Sequence, residues 1–244
     1  MPMLGLGTFD LRFAAGLGLV DDMAMFFTAD RTLETDARRG NARRPYFERR
    51  ITGAKAESSP EPMTAAEILV EALAFAVINR QQEAARFLLD RGADINGMPA
   101  RLHGGGQTPL HLACTSMARA TRTMVAFLLE QGADAARLDE AGVRATPPQW
   151  AVHNGLPECV SAFLARTAID AQDHLRHAVT QAQEANPRRR DRRLEVVRLL
   201  IEAGADPSQP AQSSADGWTA AEAAQFAKDS ELTAILIMRQ VKGT

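Results

Sequence analysis

The sequence is poor in aromatic residues, in cysteine and in excess charge, and each shortage argues against a class of protein. Phe, Trp and Tyr together make up 5% of the 244 residues, while apolar residues reach 45%. This composition favours closely packed short helices over an aromatic-rich β-sandwich. The formal net charge is −2 at pH 7, which argues against a polycation built to bind nucleic acid.

Long apolar runs and export signals are also missing. No apolar run approaches the roughly 18 residues that a membrane-spanning helix needs. Residues 1–20 lack the basic start of a signal peptide and are interrupted by Arg12 and by glycines. The two cysteines, Cys114 and Cys159, lie on apolar helical faces. We therefore expect reduced core thiols in a cytoplasmic protein, with no membrane partner.

One short pattern recurs along the chain. An apolar helix end followed by Gly-Ala-Asp occurs at 87–94, 127–134 and 199–206. The first two copies of its glycine are 40 positions apart and the next two are 72 apart, which leaves room for two units of 36. The Leu-Leu pair of such an ending packs inward, the glycine supplies a left-handed helix end, and Ala-Asp turns the chain.

A second pattern marks where helices begin. The stretch 108–111 reads Thr-Pro-Leu-His, and partial copies stand at 146–149 and 219–222. Proline in the first helical turn loses no necessary hydrogen bond, and the preceding threonine can cap free N–H groups. Together with the Gly-Ala-Asp endings, these motifs resemble those of the ankyrin-repeat family. The resemblance gives His111 a structural role, in which its ring bonds a neighbouring turn.

The resemblance implies an all-α fold, an ankyrin-repeat solenoid of stacked helix-turn-helix units with short turn tips. We expect a single domain over residues 1–244, because such repeats bury their apolar faces only by stacking on one another. Six repeats are expected, at roughly 3–30, 63–100, 104–136, 139–168, 170–207 and 214–241. Insertions are expected at 28–62 and 181–191, and a shorter one around 116–122. In solenoids, insertions map to loops, often on the binding side.

No catalytic constellation accompanies these repeats. The sequence contains no His-Glu-x-x-His, no Cys-x-x-Cys and no Gly-x-Ser-x-Gly motif. His174 and His177 are spaced to share a helix face, but further metal ligands are not apparent. The glycines at 104–106 lack the Gly-Lys-Ser/Thr ending of a phosphate-binding loop. We predict no catalytic residue, no metal site and no cofactor, and we favour a non-enzyme.

The resemblance also implies where a partner binds. In this family the concave face, formed by turn tips and first helices, usually performs the recognition. The corresponding positions are Ile78, Asn79, Thr115, Ser116, His153, Asn154, Thr180, Gln181, Trp218 and Phe226, with Gly16 as the counterpart in the first repeat. The leading hypothesis is a non-enzymatic protein–protein interaction scaffold that binds a protein partner on this face.

Two alternatives remain open. The protein could be a small-molecule enzyme or ligand binder in which the 28–62 insertion covers the groove. It could also bind anionic partners through arginine-rich loops. The sequence contains two arginine clusters, at 38–50 and 188–193. The candidate residues for binding an anionic partner are Arg43, Arg44, Arg188 and Arg189. The competing interpretation of these arginines is a pair of solvated loops whose charge nearby acidic residues partly neutralise.

Overall fold

The computed structural model describes residues 10–34, 63–99, 106–115, 122–140, 144–166, 169–183, 186–211 and 217–237. Within these ranges the chain forms twelve helices, and its only β-structure is two isolated bridges. The helices are α1 (Leu11–Leu17), α2 (Val20–Ala24), α3 (Ala65–Ile78), α4 (Gln82–Leu89), α5 (Pro109–Ala113), α6 (Arg122–Glu130), α7 (Pro147–His153), α8 (Pro157–Arg166), α9 (Ala171–Ala182), α10 (Pro187–Glu202), α11 (Ala220–Phe226) and α12 (Ser230–Ile237). The predicted all-α class is confirmed.

The helices group into two compact units. Unit 1 comprises Met1–Ala113 and Glu130–Arg144, and unit 2 comprises Cys114–Leu129 and Ala145–Thr244. Within unit 1, α1 packs on α3, α3 packs on α5, and α2 packs on α4. Within unit 2, α7, α9 and α11 pack in succession, as do α8, α10 and α12. First helices therefore stack on first helices and second on second, as stacked repeats require.

The Gly-Ala-Asp endings have the predicted geometry. Gly92, Gly132 and Gly204 all have left-handed backbone angles, with φ of 85°, 90° and 114°. At the end of α4, the Ala93 N–H donates to Leu88 O and the Gly92 N–H donates to Leu89 O, both at 3.0 Å. This pair of bonds is a Schellman motif, which satisfies carbonyls that the helix leaves free.

The threonines predicted to start helices, Thr108, Thr146 and Thr219, do so, and Thr64 caps α3 in addition. Each of α3, α7 and α11 begins with a capping box, in which a threonine and the residue three positions later bond each other's backbone N–H. At α5 the partner is a histidine. The Thr108 N–H donates to His111 Nδ1 at 3.2 Å, and the Thr108 hydroxyl lies 2.8 Å from the same atom. His111 is fully buried, so its structural role is confirmed.

Gly16 was predicted on the recognition face, but it is buried between α1 and α3. A Cβ atom at this position would lie 3.2 Å from Asn79 Nδ2 and 3.6 Å from Phe75 Cδ1. A side chain here would meet Asn79 and Phe75 of α3 directly, and the Asn79 amide would have to shift by a few tenths of an ångström. Gly16 is therefore a packing position and is unavailable to a partner.

The insertion predicted at 181–191 is helical over most of its length, which corrects the expected loop. Helix α9 continues through Ala182, and α10 begins at Pro187. Proline fits the first turn of a helix, and Arg190, Arg192 and Arg193 bond to other elements of unit 2. The extra residues thus lengthen α9 to 12 residues and α10 to 16.

The other insertions are described only at their edges. Of 28–62, residues 28–34 form a turn, in which the Thr28 N–H donates to Thr32 O at 2.9 Å and a bridge joins Phe27 to Leu33. Residues 35–62 and 116–121 lie outside the described ranges. No helix in the described part of the chain is long and apolar enough to cross a membrane.

Candidate recognition surface

Exposed side chains stand at the carboxyl ends of the stacked first helices of unit 2. His153 is the last residue of α7, Thr180 lies in the last turn of α9, and Phe226 is the last residue of α11. All three are exposed. The packing of α7 on α9 and of α9 on α11 places these ends in succession. Three of the predicted partner-binding positions therefore belong to one face of unit 2.

Two histidines stack between α7 and α9. The rings of His153 and His177 have centroids 5.7 Å apart and are inclined by 22°. Partial desolvation lowers the pKa of His177 below 6.5, and positive charge on His153, His174, Arg176 and Arg193 lowers it further. This histidine stack joins neighbouring helices, so it differs from the His174–His177 pair that the spacing suggested.

His174 bonds locally instead. Its Nδ1 atom lies 2.8 Å from Asp170 O, at the start of the same helix. Across the described residues, no three His, Cys, Asp or Glu side chains are grouped as metal ligands would be.

Amide side chains near these helix ends brace adjacent repeats. Asn154 Nδ2 donates to Cys114 O at 3.0 Å, and Gln183 Nε2 donates to Ala223 O at 3.1 Å. Thr180 Oγ1 donates to Arg176 O within its own helix at 3.0 Å. Among the predicted contact positions, Asn154 and Thr180 thus already have intramolecular bonds.

Among the described residues of unit 2, the most exposed large apolar side chain is that of Phe226, which pairs with Trp218. Phe226 is 78% exposed and Trp218 is 41% exposed. Their ring centroids are 5.4 Å apart at an interplanar angle of 79°, an edge-to-face contact. Trp218 immediately precedes the capping threonine of α11. The pair is therefore held by a helix start and a helix end on a short, rigid element.

The remaining predicted positions lie elsewhere or outside the described residues. In unit 1, Ile78 is half-buried at the end of α3, and Asn79 is exposed with its Nδ2 donating to Phe75 O at 2.9 Å. Thr115 is half-buried in unit 2. The positions outside the described residues are Ser116, Arg43, Arg44 and the side chain of Arg188.

Two arginines of α10 bind backbone carbonyls at the ends of first helices. Arg193 is only 6% exposed, and it donates from Nη1 to Gln181 O at 2.6 Å and from Nη2 to His153 O at 3.2 Å. Arg190 Nη1 donates to Ala182 O at 2.8 Å. A cation at a helix carboxyl end is favourable because the backbone dipoles leave partial negative charge there. Sequence reasoning treated these residues only as members of an arginine cluster.

Acidic partners of this cluster come from other helices. Arg190 Nη2 lies 2.8 Å from Asp229 Oδ1 and 3.1 Å from Glu231 Oε2, at the start of α12. Arg192 grips Glu158 of α8 with both terminal nitrogens, at 3.1 and 2.7 Å. The interpretation of this segment as a solvated loop is therefore wrong for Arg190, Arg192 and Arg193. The only sequence signal was the spacing of Arg190 and Arg193, which share one helix face.

Stacked pairs of antiparallel helices, with glycine-ended second helices and threonine-capped first helices, define a helical repeat protein. Comparison with known proteins identifies which kind. A family model described as "Ankyrin repeats (3 copies)" matches residues 67–139. The crystal structure of the ankyrin repeat protein EF0377 resembles this chain with a TM-score of 0.58 and 21% sequence identity, over 96% of this chain and 98% of that one.

Residues 67–139 match the ankyrin-repeat family model, and the fold resembles that of an ankyrin repeat protein, which confirms the resemblance seen in the motifs. Ankyrin repeats are generally protein–protein interaction modules. In solved structures, 295 chains match this fold, so the fold alone selects no partner. The search of curated proteins found no match.

Proposed function

We propose that this protein is a non-enzymatic scaffold that binds a protein partner, with the aromatic pair Trp218 and Phe226 as the anchor of the interface. The observation that carries the proposal is the exposure of Phe226, 78% in a fold whose other phenylalanines include the buried Phe127 and Phe163. Large aromatic side chains that seat in a partner's pocket commonly dominate binding energy. Fixed by packing against each other, these two rings lose little freedom on binding.

The rest of the proposed interface in unit 2 follows the ends of the first helices. His153 and Thr180 lie on the neighbouring helices and supply polar contacts around the aromatic anchor, with Gln181 and Asn154 beside them. Such an arrangement, an apolar centre with a polar rim, is the usual anatomy of a protein interface. Thr115 and Ser116 extend the proposed interface within unit 2, and Ile78 and Asn79 are proposed as partner-binding positions of unit 1, as the family's concave-face pattern implies.

A cytoplasmic location belongs to the same proposal. Cys114 and Cys159 are buried and form no disulfide, and they are close enough for a hydrogen bond between their side chains. Reduced, adjacent thiols are typical of a compartment kept reducing.

The test is a crosslinking capture from a cell extract with three forms of the protein. The wild type is compared with Trp218→Ala/Phe226→Ala and with Ile237→Ala, a control at an apolar residue that is 49% exposed on the outer helix of the same repeat. A protein captured by the wild type and the control, but at least tenfold less by the double variant, supports the proposal. Equal capture by all three forms, or a turnover with no captured protein, rejects it.

The ligand-binder alternative depends on the 28–62 insertion, most of which lies outside the described residues. Its described portion, 28–34, forms a local turn joined to Phe26 through the bond from Glu34 N–H to Phe26 O at 2.9 Å. No observation on the described residues favours this alternative over the scaffold.

A further inference from the structure

A pocket of about 190 Å³ lies within unit 2, between the turn that joins α7 to α8 and the first half of α10. Asn154 and Gly155 line it from the turn, and Arg189, Arg192 and Arg193 line it from the helix. None of these arginines was expected to converge with the α7–α8 turn. The pocket is separate from the aromatic pair, which stands on α11 and the segment before it.

The charges that line the pocket are mostly positive. Three guanidinium groups line it, and Arg192 also pairs with the Glu158 carboxylate at 2.7 Å. The charge of Arg193 also acts on the histidine stack, because it contributes to the lowered pKa of His177.

The three arginines have different freedom to bind a ligand. Both terminal nitrogens of Arg193 donate to carbonyls, so its charge is fixed in position. Gly155 lets it lie there, because a Cβ at residue 155 would come within 2.7 Å of Arg193 Cγ. Arg192 divides its donors between Glu158 and Gly155 O. Arg189 is exposed, and its side chain makes no hydrogen bond or ion pair with any residue that the structure describes.

From this arrangement we infer that the pocket binds a phosphate group, with Arg189 as the residue that grips it. A phosphate group carries a charge of about −1.5 to −2 at pH 7 and three acceptor oxygens, so it can bond several of these guanidinium groups at once, whereas a carboxylate supplies a charge of −1 and two oxygens. The planar guanidinium of Arg189 donates two parallel bonds to phosphate oxygens. Arg193 supplies a second, immobile positive charge, and Glu158 competes with the ligand for Arg192.

The experiment is isothermal titration of the full chain with inorganic phosphate at low ionic strength, where screening is weak. Arg189→Gln is expected to weaken binding about tenfold, the usual effect of losing a hydrogen bond to a charged group. Glu158→Gln is expected to strengthen binding several-fold, since it frees Arg192 and removes the opposing charge. Arg198→Gln is the matched control, because Arg198 is an exposed arginine of the same helix that pairs with Glu195 and does not line the pocket. It should bind as the wild type does.

Two probes identify the source of the phosphate. A capped Gly-Gly-Ser-Gly-Gly peptide is titrated with its serine phosphorylated and unphosphorylated, and acetate is titrated separately. Tighter binding of the phosphopeptide than of inorganic phosphate assigns the site to a phosphorylated side chain. Equal or weaker binding of the phosphopeptide assigns it to a free phosphate ion, and either result supports the site.

Three results would overturn the inference. These are no binding of phosphate or phosphopeptide at millimolar concentration, acetate binding as tightly as phosphate, or equal affinities in Arg189→Gln and Arg198→Gln. The inference stands apart from the protein-binding proposal, because Trp218→Ala/Phe226→Ala should leave phosphate affinity unchanged. Circular dichroism of each variant establishes that it is folded. The test does not require a substitution of the buried Arg193.

Discussion

Arg12 and Glu71 form a buried ion pair although 59 positions separate them in the chain, with Nη1 and Oε2 3.0 Å apart. Arg12 also binds Asp10 through Nε at 3.1 Å and Nη2 at 2.6 Å. Asp10 caps α1 by accepting from the Phe13 N–H. One guanidinium group therefore joins the start of the first helix to the middle of α3, and it forms ion pairs with two carboxylates.

Replacing Arg12 by Met is expected to lower the free energy of unfolding by about 3–5 kcal/mol, because it leaves buried carboxylates without their counter-charge. Glu71→Met in the same background should recover part of that loss, since it removes one of the stranded charges. Urea denaturation measures both. Additive losses in the double variant would show that the ion pair does not couple the two residues.

Lys228 occupies a strained position, and its replacement by Gly is expected to stabilise the protein by about 0.5 kcal/mol. Lys228 has a φ of 55°, in the region where Gly18 and Gly155 stand in the corresponding turns of other repeats. A side chain in this conformation costs about 1 kcal/mol, and the greater freedom of unfolded glycine offsets part of the gain. Thermal unfolding of Lys228→Gly is compared with Lys228→Ala, which keeps the Cβ and should show no gain.

The lowered pKa of His177 predicts that this residue makes the protein less stable in acid. Below pH 6.5, His177 of the unfolded chain binds a proton, whereas His177 of the folded chain stays neutral because its pKa is lowered. Protonation therefore favours unfolding. The contribution is absent above pH 6.5 and grows as pH falls toward the lowered pKa of the folded state. His177→Gln should therefore lose less stability than the wild type between about pH 7.5 and 5. Urea denaturation across this range measures the slopes, and equal slopes would contradict the prediction.

The two thiols should resist modification in the native protein. Burial raises the pKa of Cys114 well above its usual range, and a hydrogen bond with Cys159 raises it further. Since the thiolate is the reactive form, a disulfide reagent at pH 8 should react only through unfolding. In denaturant, titration should find two reactive thiols per chain. Without denaturant, it should find none over the same period. Rapid reaction of the native protein at Cys114, located by mass spectrometry, would refute this.

Local signals predicted the helix ends, whereas contacts between distant residues could not be predicted. Thr108 and Gly92 each act within a few residues of their own position, so their sequence context is enough. Arg193 is different, because its partners lie 12 and 40 positions away. In the sequence it belongs to a charge run that is compatible equally with a solvated loop and with a bonded helix. The lengths of α9 and α10 in the structure distinguish the loop from the helix. Pro187 does not distinguish them, because proline fits both a loop and the first turn of a helix.

On the candidate recognition surface, too, the positions were predicted from the sequence but the contacts between them were not. The family pattern named Trp218 and Phe226 as separate positions, but their edge-to-face contact depends on the fold of α11. The spacing of His174 and His177 suggested a pair on one helix, whereas the rings that stack belong to α7 and α9. Periodicity within a helix carries no information about which residue of the neighbouring repeat lies opposite.

The ion pair between Arg190 and Asp229 has a consequence for biosynthesis. The two residues are 39 positions apart, so a ribosome that has just exposed α10 has not yet released the carboxylates that Arg190 binds. During translation, Arg190 can hold Ala182 O but stays without Asp229 and Glu231. Unit 2 is completed only when α12 emerges, and a ribosome paused before that point would display α10 to chaperones with Arg190 lacking its two carboxylate partners.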